Sequence, residues 1–213
     1  MKLVKKELNG LRQMIAKTSS KVLEKFQVEL PKTNYDYLFL GDSMIEYLNL
    51  ESYFGDINAI NRGVAGATTK FINDNIDTII SNINPKTIFL SVGSNDLVLL
   101  EATPDETASN VINLIDKLRG LFPNAKINYL STTPVINEDH KLYKKIYIAG
   151  RTNDELKRVN ELVFNNKNNS YNFINLFDSV LKDNYLNEDL TYDGIHLNKN
   201  GYEIYTEILK KHM

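Results

Sequence analysis

Short apolar runs alternate along the chain with longer stretches in which apolar residues recur every three or four positions. The runs cover residues 37–40, 57–60, 87–92, 126–130 and 173–176. Several are apolar at consecutive positions, such as Leu38-Phe39-Leu40 and Ile88-Phe89-Leu90, the pattern of parallel strands covered on both faces. Between them, Phe71, Ile72, Ile76, Ile79 and Ile80 share one face and predict a helix. Val111, Leu114, Ile115, Leu118 and Leu121 predict a second, which opens on Thr103-Pro104-Asp105-Glu106, a capping box with proline at the first helical position. Thr152-Asn153-Asp154-Glu155 offers a similar start to a helix carrying Leu156, Val159, Leu162 and Val163. Tyr202, Tyr205, Ile208 and Leu209 mark a C-terminal helix that begins near Asn198.

Strand–helix alternation of this kind predicts an α/β fold, a three-layer α/β/α sandwich around a five-stranded parallel sheet, with right-handed crossovers. No internal repeat or Pro/Gly/Ser-rich linker divides the chain. The cluster of Asn165, Asn166, Asn168 and Asn169 reads as a helix-to-strand loop. One domain is expected over residues 34–213, preceded by an N-terminal helical extension over 1–33. In the extension Val4, Leu8, Leu11 and Ile15 recur at helical spacing. The plainer reading is a helix packed on the domain; a dimer contact or a lid is the alternative.

Composition narrows the function classes. The chain has 213 residues, a formal net charge of -2 and no cysteine. There is no basic excess to track a phosphate backbone, so nucleic acid is not an expected partner. Disulfides, thiolate catalysis and cysteine-based metal sites are excluded. The N-terminal lysines are followed by no apolar signal core, and no stretch reaches the ~18 apolar residues of a membrane span. The expected location is cytoplasmic.

In a doubly wound sheet, ligands bind beyond the carboxyl ends of the strands. Four groups of chemically capable residues are predicted there. Gly41-Asp42-Ser43 ends the first strand, so Ser43 opens a helix with its hydroxyl and N–H facing one space. Gly66, after the second strand, lets a reacting group approach a backbone N–H, with Thr68 or Thr69 available as helix cap. Asn95, in Gly93-Ser94-Asn95-Asp96, can aim an amide N–H. Of three histidines only His196 has a carboxylate three residues earlier; a helical turn would put Asp193 and His196 on one face. Asp193 can then fix the imidazole tautomer while the other ring nitrogen takes a proton from a serine. Taken singly, each group reads equally well as an ordinary turn.

As an ordered set, the four resemble the blocks of the SGNH hydrolases, also called GDSL-type lipases and esterases. The Asn61-Arg62-Gly63 run and the Gly201-Tyr202 that follows His196-Leu197 are similar to the platelet-activating-factor acetylhydrolase-like branch. The resemblance implies a flavodoxin-like sheet and a serine esterase that needs no metal or cofactor. Its catalytic residues would be Ser43, Asp193 and His196, and its oxyanion hole would comprise Ser43, Gly66 and Asn95. Ala67 stands where relatives often carry Asp, leaving the cap to a threonine. The expected partner is a small-molecule ester, with a homo-oligomer allowed. The expected substrate is a short-chain carboxylic ester, with the acetyl ester of a carbohydrate as the leading case and a lysophospholipid or thioester as the alternative within the family. From another class, the competing reading is a non-catalytic ligand-binding module on a flavodoxin-like sheet. Against it, no phosphate-cradling glycine loop is present. The segment over residues 133–150 carries Tyr143, Ile146, Tyr147 and Ile148, which either line an acyl pocket or lid or cover the core.

Overall fold

The computed structural model describes residues 2–167 and 170–213, so Asn168 and Asn169 of the expected asparagine loop lie outside the described residues. Five parallel strands, β1 (Asn34–Gly41), β2 (Ala59–Gly63), β3 (Asn84–Ser91), β4 (Lys126–Leu130) and β5 (Asn172–Ile174), form a sheet in the order β2-β1-β3-β4-β5. Helix α1 (Lys5–Val28) precedes the sheet. Then α2 (Ser43–Glu46) and α3 (Leu50–Phe54) follow β1, α4 (Thr69–Asp74) and α5 (Ile76–Ile79) follow β2, and α6 (Asp96–Leu99) and α7 (Pro104–Leu121) follow β3. After β4 come α8 (Lys145–Ile148) and α9 (Asn153–Asn165), and α10 (Lys199–Lys210) closes the chain.

The consecutive apolar residues of the strands divide between two faces. Leu38, Leu40, Ile88, Leu90, Ile127 and Tyr129 meet α7 and α9 on one side. Phe39 and Phe89 stack on the other, with ring centroids 5.0 Å apart, beneath Tyr202, Tyr205 and Leu209 of α10. Burying each such side chain contributes roughly 1.5–3 kcal/mol, which is why both layers of helices are needed. The capping signals hold as read. Thr103 accepts the Glu106 N–H while Glu106 accepts the Thr103 N–H at 2.8 Å, and Thr152 and Glu155 repeat the arrangement.

Two elements differ from the apolar pattern. β2 runs over Ala59–Gly63 and not 57–60, because Arg62 enters the strand. Arg62 is only 2% exposed; its guanidinium lies 2.5 Å from Glu29 and 4.4 Å from the centre of the Phe26 ring. The helix predicted from Phe71 to Ile80 is two, broken where Asn75 donates from its side chain to the Phe71 carbonyl at 2.8 Å.

Helix α1 packs on the domain. Leu8 and Leu11 meet Val98 and Ala149, and Phe26 joins the main core. No helix among the described residues is long and apolar enough to cross a membrane.

The strand order locates the crevice. From β1 the chain moves outward to β2, then crosses back to β3 on the other side of β1, so the connections diverge at the carboxyl ends of β1 and β3. The turn after β1 presses against the end of β3: Asp42 N–H donates to the Ser91 carbonyl at 3.0 Å, and a Cβ on Gly41 would fall 2.1 Å from that oxygen. Only glycine permits this approach.

Candidate active site

Ser43 stands at the first position of α2, immediately beyond β1. Asp42 caps the helix, its carboxylate accepting the Met44 N–H at 3.0 Å. Across the crevice, His196 Nε2 lies 3.1 Å from Ser43 Oγ, and His196 Nδ1 lies 2.7 Å from Asp193 Oδ2. Tyr202 of α10 donates to the Met44 carbonyl at 2.9 Å, tying the helix after His196 to the helix that bears Ser43.

Asp193 and His196 do not share a helical face; they occupy a tight loop. Thr191 pairs with Leu197 as an isolated bridge, and Gly194 takes φ +91°, outside helical geometry. The carboxylate itself shapes the loop. Asp193 Oδ1 accepts the N–H groups of His196 at 2.8 Å and Ile195 at 3.1 Å, leaving Oδ2 for the imidazole. Burial opposes the charge on Asp193, but the side-chain and backbone hydrogen bonds from His196 outweigh it and hold the carboxyl below its ordinary value.

Gly66 and Asn95 border the same cavity as Ser43 and His196. Gly66 takes φ +79°, and its N–H makes no hydrogen bond among the described residues. Thr68, not Thr69, caps α4 by accepting the Phe71 N–H at 3.0 Å. Asn95 donates from Nδ2 to the Ala67 carbonyl at 3.0 Å and accepts at Oδ1 from Arg151 Nη2 at 2.6 Å. This fixes the amide orientation and leaves the second Nδ2 hydrogen for the cavity. The other two histidines lie elsewhere: His140 accepts the Leu142 N–H in its own turn, and the His212 carbonyl accepts from Lys126.

Three further features escaped the sequence reading in whole or in part. Buried Arg151 also donates to the carbonyls of Ser94, Tyr147 and Ile148, so one guanidinium joins the Asn95 loop to α8. Asp96 accepts both the N–H and the hydroxyl of Thr69, joining the loops that carry Gly66 and Asn95. Burial raises the Asp96 carboxyl above its ordinary value despite these bonds. Around His196 stand the rings of Tyr47, Tyr147 and Tyr192, with centroids 5.2, 5.9 and 5.9 Å away. The long-range spacing of Arg151, Tyr47 and Tyr192 left no sequence signal; Asp96 was hinted at only by its position beside Asn95, and Tyr147 only as part of the 133–150 segment. The 133–150 segment divides between the two roles foreseen for it: Ile148 is core, while Ile146 and Tyr147 line the cavity.

Burial pushes the Asp42 carboxyl up to about 6, against the opposing Met44 hydrogen bond and the nearby His196 and Arg151 charges. A raised folded-state value means the fold holds this proton more tightly than the unfolded chain does. Its stabilising effect is therefore present at low pH and is lost as pH climbs from the ordinary carboxylate range to about 6. Asp42→Asn keeps an oxygen for Met44 and removes the charge. The variant is expected to gain stability at pH 8, at most about 3 kcal/mol, with most of the gain lost by pH 4. Thermal melts of both proteins across this range read the difference, and an equal gain at both ends would refute the charge explanation.

With the serine, imidazole, carboxylate and amide on one crevice, the comparison with known sequences becomes decisive: the GDSL-like lipase/acylhydrolase family profile matches residues 39–204. The chain belongs to that family. Curated relatives of this GDSL-like chain include N-acylneuraminate cytidylyltransferase of Escherichia coli O18:K1:H7, 29% identical over 79% of this chain and 38% of the relative. The platelet-activating factor acetylhydrolase IB subunit beta homolog of Drosophila melanogaster is 29% identical over 52% of this chain and 50% of the relative. The chain thus spans half or less of either relative. Among solved structures, a Streptococcus pneumoniae protein described as a platelet activating factor shares 25% identity and a TM-score of 0.81, with 96% of each chain covered. A carbohydrate acetylesterase of Sinorhizobium meliloti shares the fold at 15% identity and a TM-score of 0.62, over 84% of this chain and 97% of its own.

Proposed function

We propose that this GDSL-like chain is a serine esterase that cleaves a short-chain carboxylic ester through an acyl-enzyme. The observation that carries this reading is the continuous line from Ser43 Oγ to His196 Nε2 at 3.1 Å and from His196 Nδ1 to Asp193 Oδ2 at 2.7 Å. Ser43 attacks the acyl carbonyl as His196 takes its proton, and Asp193 holds the ring and stabilises the imidazolium. The negative charge that develops on the carbonyl oxygen meets the N–H groups of Ser43 and Gly66 and the free Nδ2 hydrogen of Asn95. His196 returns the proton to the departing alcohol, and water then releases the acid by the same route reversed.

The alcohol part lies on the histidine side, because the proton is delivered there. The rings of Tyr47, Tyr147 and Tyr192 surround that place and offer flat, partly exposed faces with polar tips. Such a rim suits a ring-shaped, hydroxylated alcohol, which favours an ester of a carbohydrate.

Labelling by a fluorophosphonate probe, read by intact mass and peptide mapping, tests the proposal. A single adduct on Ser43 is expected; an unreactive chain, or an adduct elsewhere, would sink it. The oxyanion assignment has its own test. Asn95→Ala is expected to lower kcat by ~10²–10³-fold. Arg151→Lys loses the planar fork that orients the amide and is expected to lower kcat roughly tenfold with KM unchanged. Because Arg151 acts through Asn95, the double variant should be no slower than Asn95→Ala alone. Additive losses would place Arg151 outside the oxyanion hole.

A further inference from the structure

We propose that Glu46 is a positioning residue of the oxyanion hole: it ties the turn that carries Gly66 to the helix that carries Ser43, so that their two N–H groups meet one oxygen. This rests on the serine-esterase reading and deepens it.

The requirement is geometric. The donors of an oxyanion hole act within about 2.7–3.1 Å of a common point, and an error of about 1 Å is enough to lose their effect. The Ser43 N–H belongs to α2, and the Gly66 N–H belongs to the connection between β2 and α4. Gly66 settles its own local form. Ala67 N–H donates to the Val64 carbonyl at 2.9 Å and closes a four-residue turn in which Gly66 is third. Its φ of +79° at that place is type II geometry, which suits glycine. A turn of fixed shape still has to be placed against Ser43.

Glu46 is the last residue of α2, on the same short helix as Ser43. Its Oε2 accepts the N–H of Ala65, the residue before Gly66. Among the described residues the carboxylate makes no other hydrogen bond and pairs with no cation. A half-buried anion at the edge of the cavity that meets a single backbone N–H is engaged in holding that backbone.

The end of β2 is built for this approach. Asn61 donates from Nδ2 to the Ile45 carbonyl at 2.6 Å and to the Leu48 carbonyl at 3.1 Å, while its Oδ1 accepts the Gly63 N–H at 2.8 Å. A Cβ on Gly63 would collide with the backbone nitrogen of Glu46, so only glycine lets α2 lie this close. The Asn61-Arg62-Gly63 run thus seats α2 against β2 and brings Glu46 within reach of Ala65. From the other side, Asn95 donates to the Ala67 carbonyl at 3.0 Å, which links the third donor to the same turn. Glu46→Ala removes one tie and leaves all three donors in the chain.

Kinetics of the full chain on p-nitrophenyl acetate test the proposal, with rates normalised to the Ser43 sites that a fluorophosphonate titrates to completion. Glu46→Ala is expected to lower kcat roughly 10–100-fold, less than the ~10²–10³-fold loss of a donor itself, with KM held within about twofold. Glu46→Asp draws the carboxylate back by one methylene. It should lose a similar factor, and it carries the test if the alanine variant does not fold. Glu46→Gln keeps an acceptor oxygen at the same reach and should recover to within about threefold of the parent. An aryl trifluoromethyl ketone supplies the readout that a general loosening of the fold would not move. Ser43 Oγ adds to its carbonyl carbon, the hydroxyl proton passes to His196, and the oxyanion that forms occupies the hole. Its Ki should rise by the factor by which kcat/KM falls. An alanine variant within about threefold of the parent, a loss confined to KM or to the labelled fraction, an unmoved Ki, or a glutamine variant as slow as the alanine one overturns the proposal. Any of these beside a parent that is labelled at Ser43 and turns over rejects the role of Glu46 alone. A parent with neither label nor turnover rejects the esterase reading, and the role of Glu46 with it.

Discussion

Ser43→Ala is expected to reduce ester turnover by ~10⁴-fold or more. Removing Oγ takes away the atom that forms the acyl-enzyme in the proposed mechanism, and it takes the 3.1 Å partner from His196 Nε2. The rest of the apparatus stays: Asp193 still holds the imidazole, and Gly66 and Asn95 still border the cavity. A residual rate above that of water is therefore expected, from oxyanion stabilisation and binding alone. Ser43 is a partly buried residue at the start of α2, and deleting one oxygen there leaves the fold intact, so the melting temperature should hold. The measurements are initial rates on an activated ester and the loss of the fluorophosphonate adduct. Turnover within tenfold of the parent would remove Ser43 from the mechanism.

Asp193→Asn carries the next largest effect, a loss of ~10⁴-fold in kcat. The substitution is nearly isosteric, and the new amide oxygen can still accept the N–H groups of Ile195 and His196 that now bond to Oδ1. Its NH₂ group then faces His196 Nδ1 and donates where the carboxylate accepted. The ring is driven into the tautomer that carries its proton on Nε2, which cannot take the proton of Ser43. The charge has a second role. A carboxyl held below its ordinary value stabilises the fold at neutral pH, and this contribution disappears as pH falls through the folded-state value. The variant should melt lower than the parent at pH 7, and the gap should narrow as both are brought toward pH 3. Full activity in the asparagine variant would assign the orienting role to another group.

Much of this was legible in the residues because both kinds of signal were local. The strands β1 and β3 announced themselves as consecutive apolar triplets, and α7 and α9 as capping boxes followed by a periodic face. Ser43, Gly66, Asn95 and His196 were legible as a set, because the ends of successive strands of a doubly wound sheet face one crevice. What stayed hidden depends on contacts between distant segments. β2 was misplaced because a buried arginine reads as exposed until Glu29 and Phe26 are seen around it. Asn75 broke a helix through a side-chain bond that competes with the backbone ladder, and periodicity does not register such a bond. The Asp193–His196 spacing suggested a helix, whereas a positive-φ glycine and a carboxylate bonded to its own backbone make a loop with the same proximity. Arg151 sits 56 residues from Asn95, and nothing in the pattern of either segment links them.

The loop holding Asp193 and His196 has a consequence for how competence arises during folding. The two partners lie three positions apart, and the carboxylate organises the intervening backbone, so the proposed proton-relay pair needs almost no loop closure. The hydroxyl it serves is 153 positions away. Closing that span is an entropic burden met only once the whole sheet has formed. Reactivity of the serine toward an acylating probe is thus a reporter of complete assembly, and it should recover in the last kinetic phase of refolding, after the helical signal.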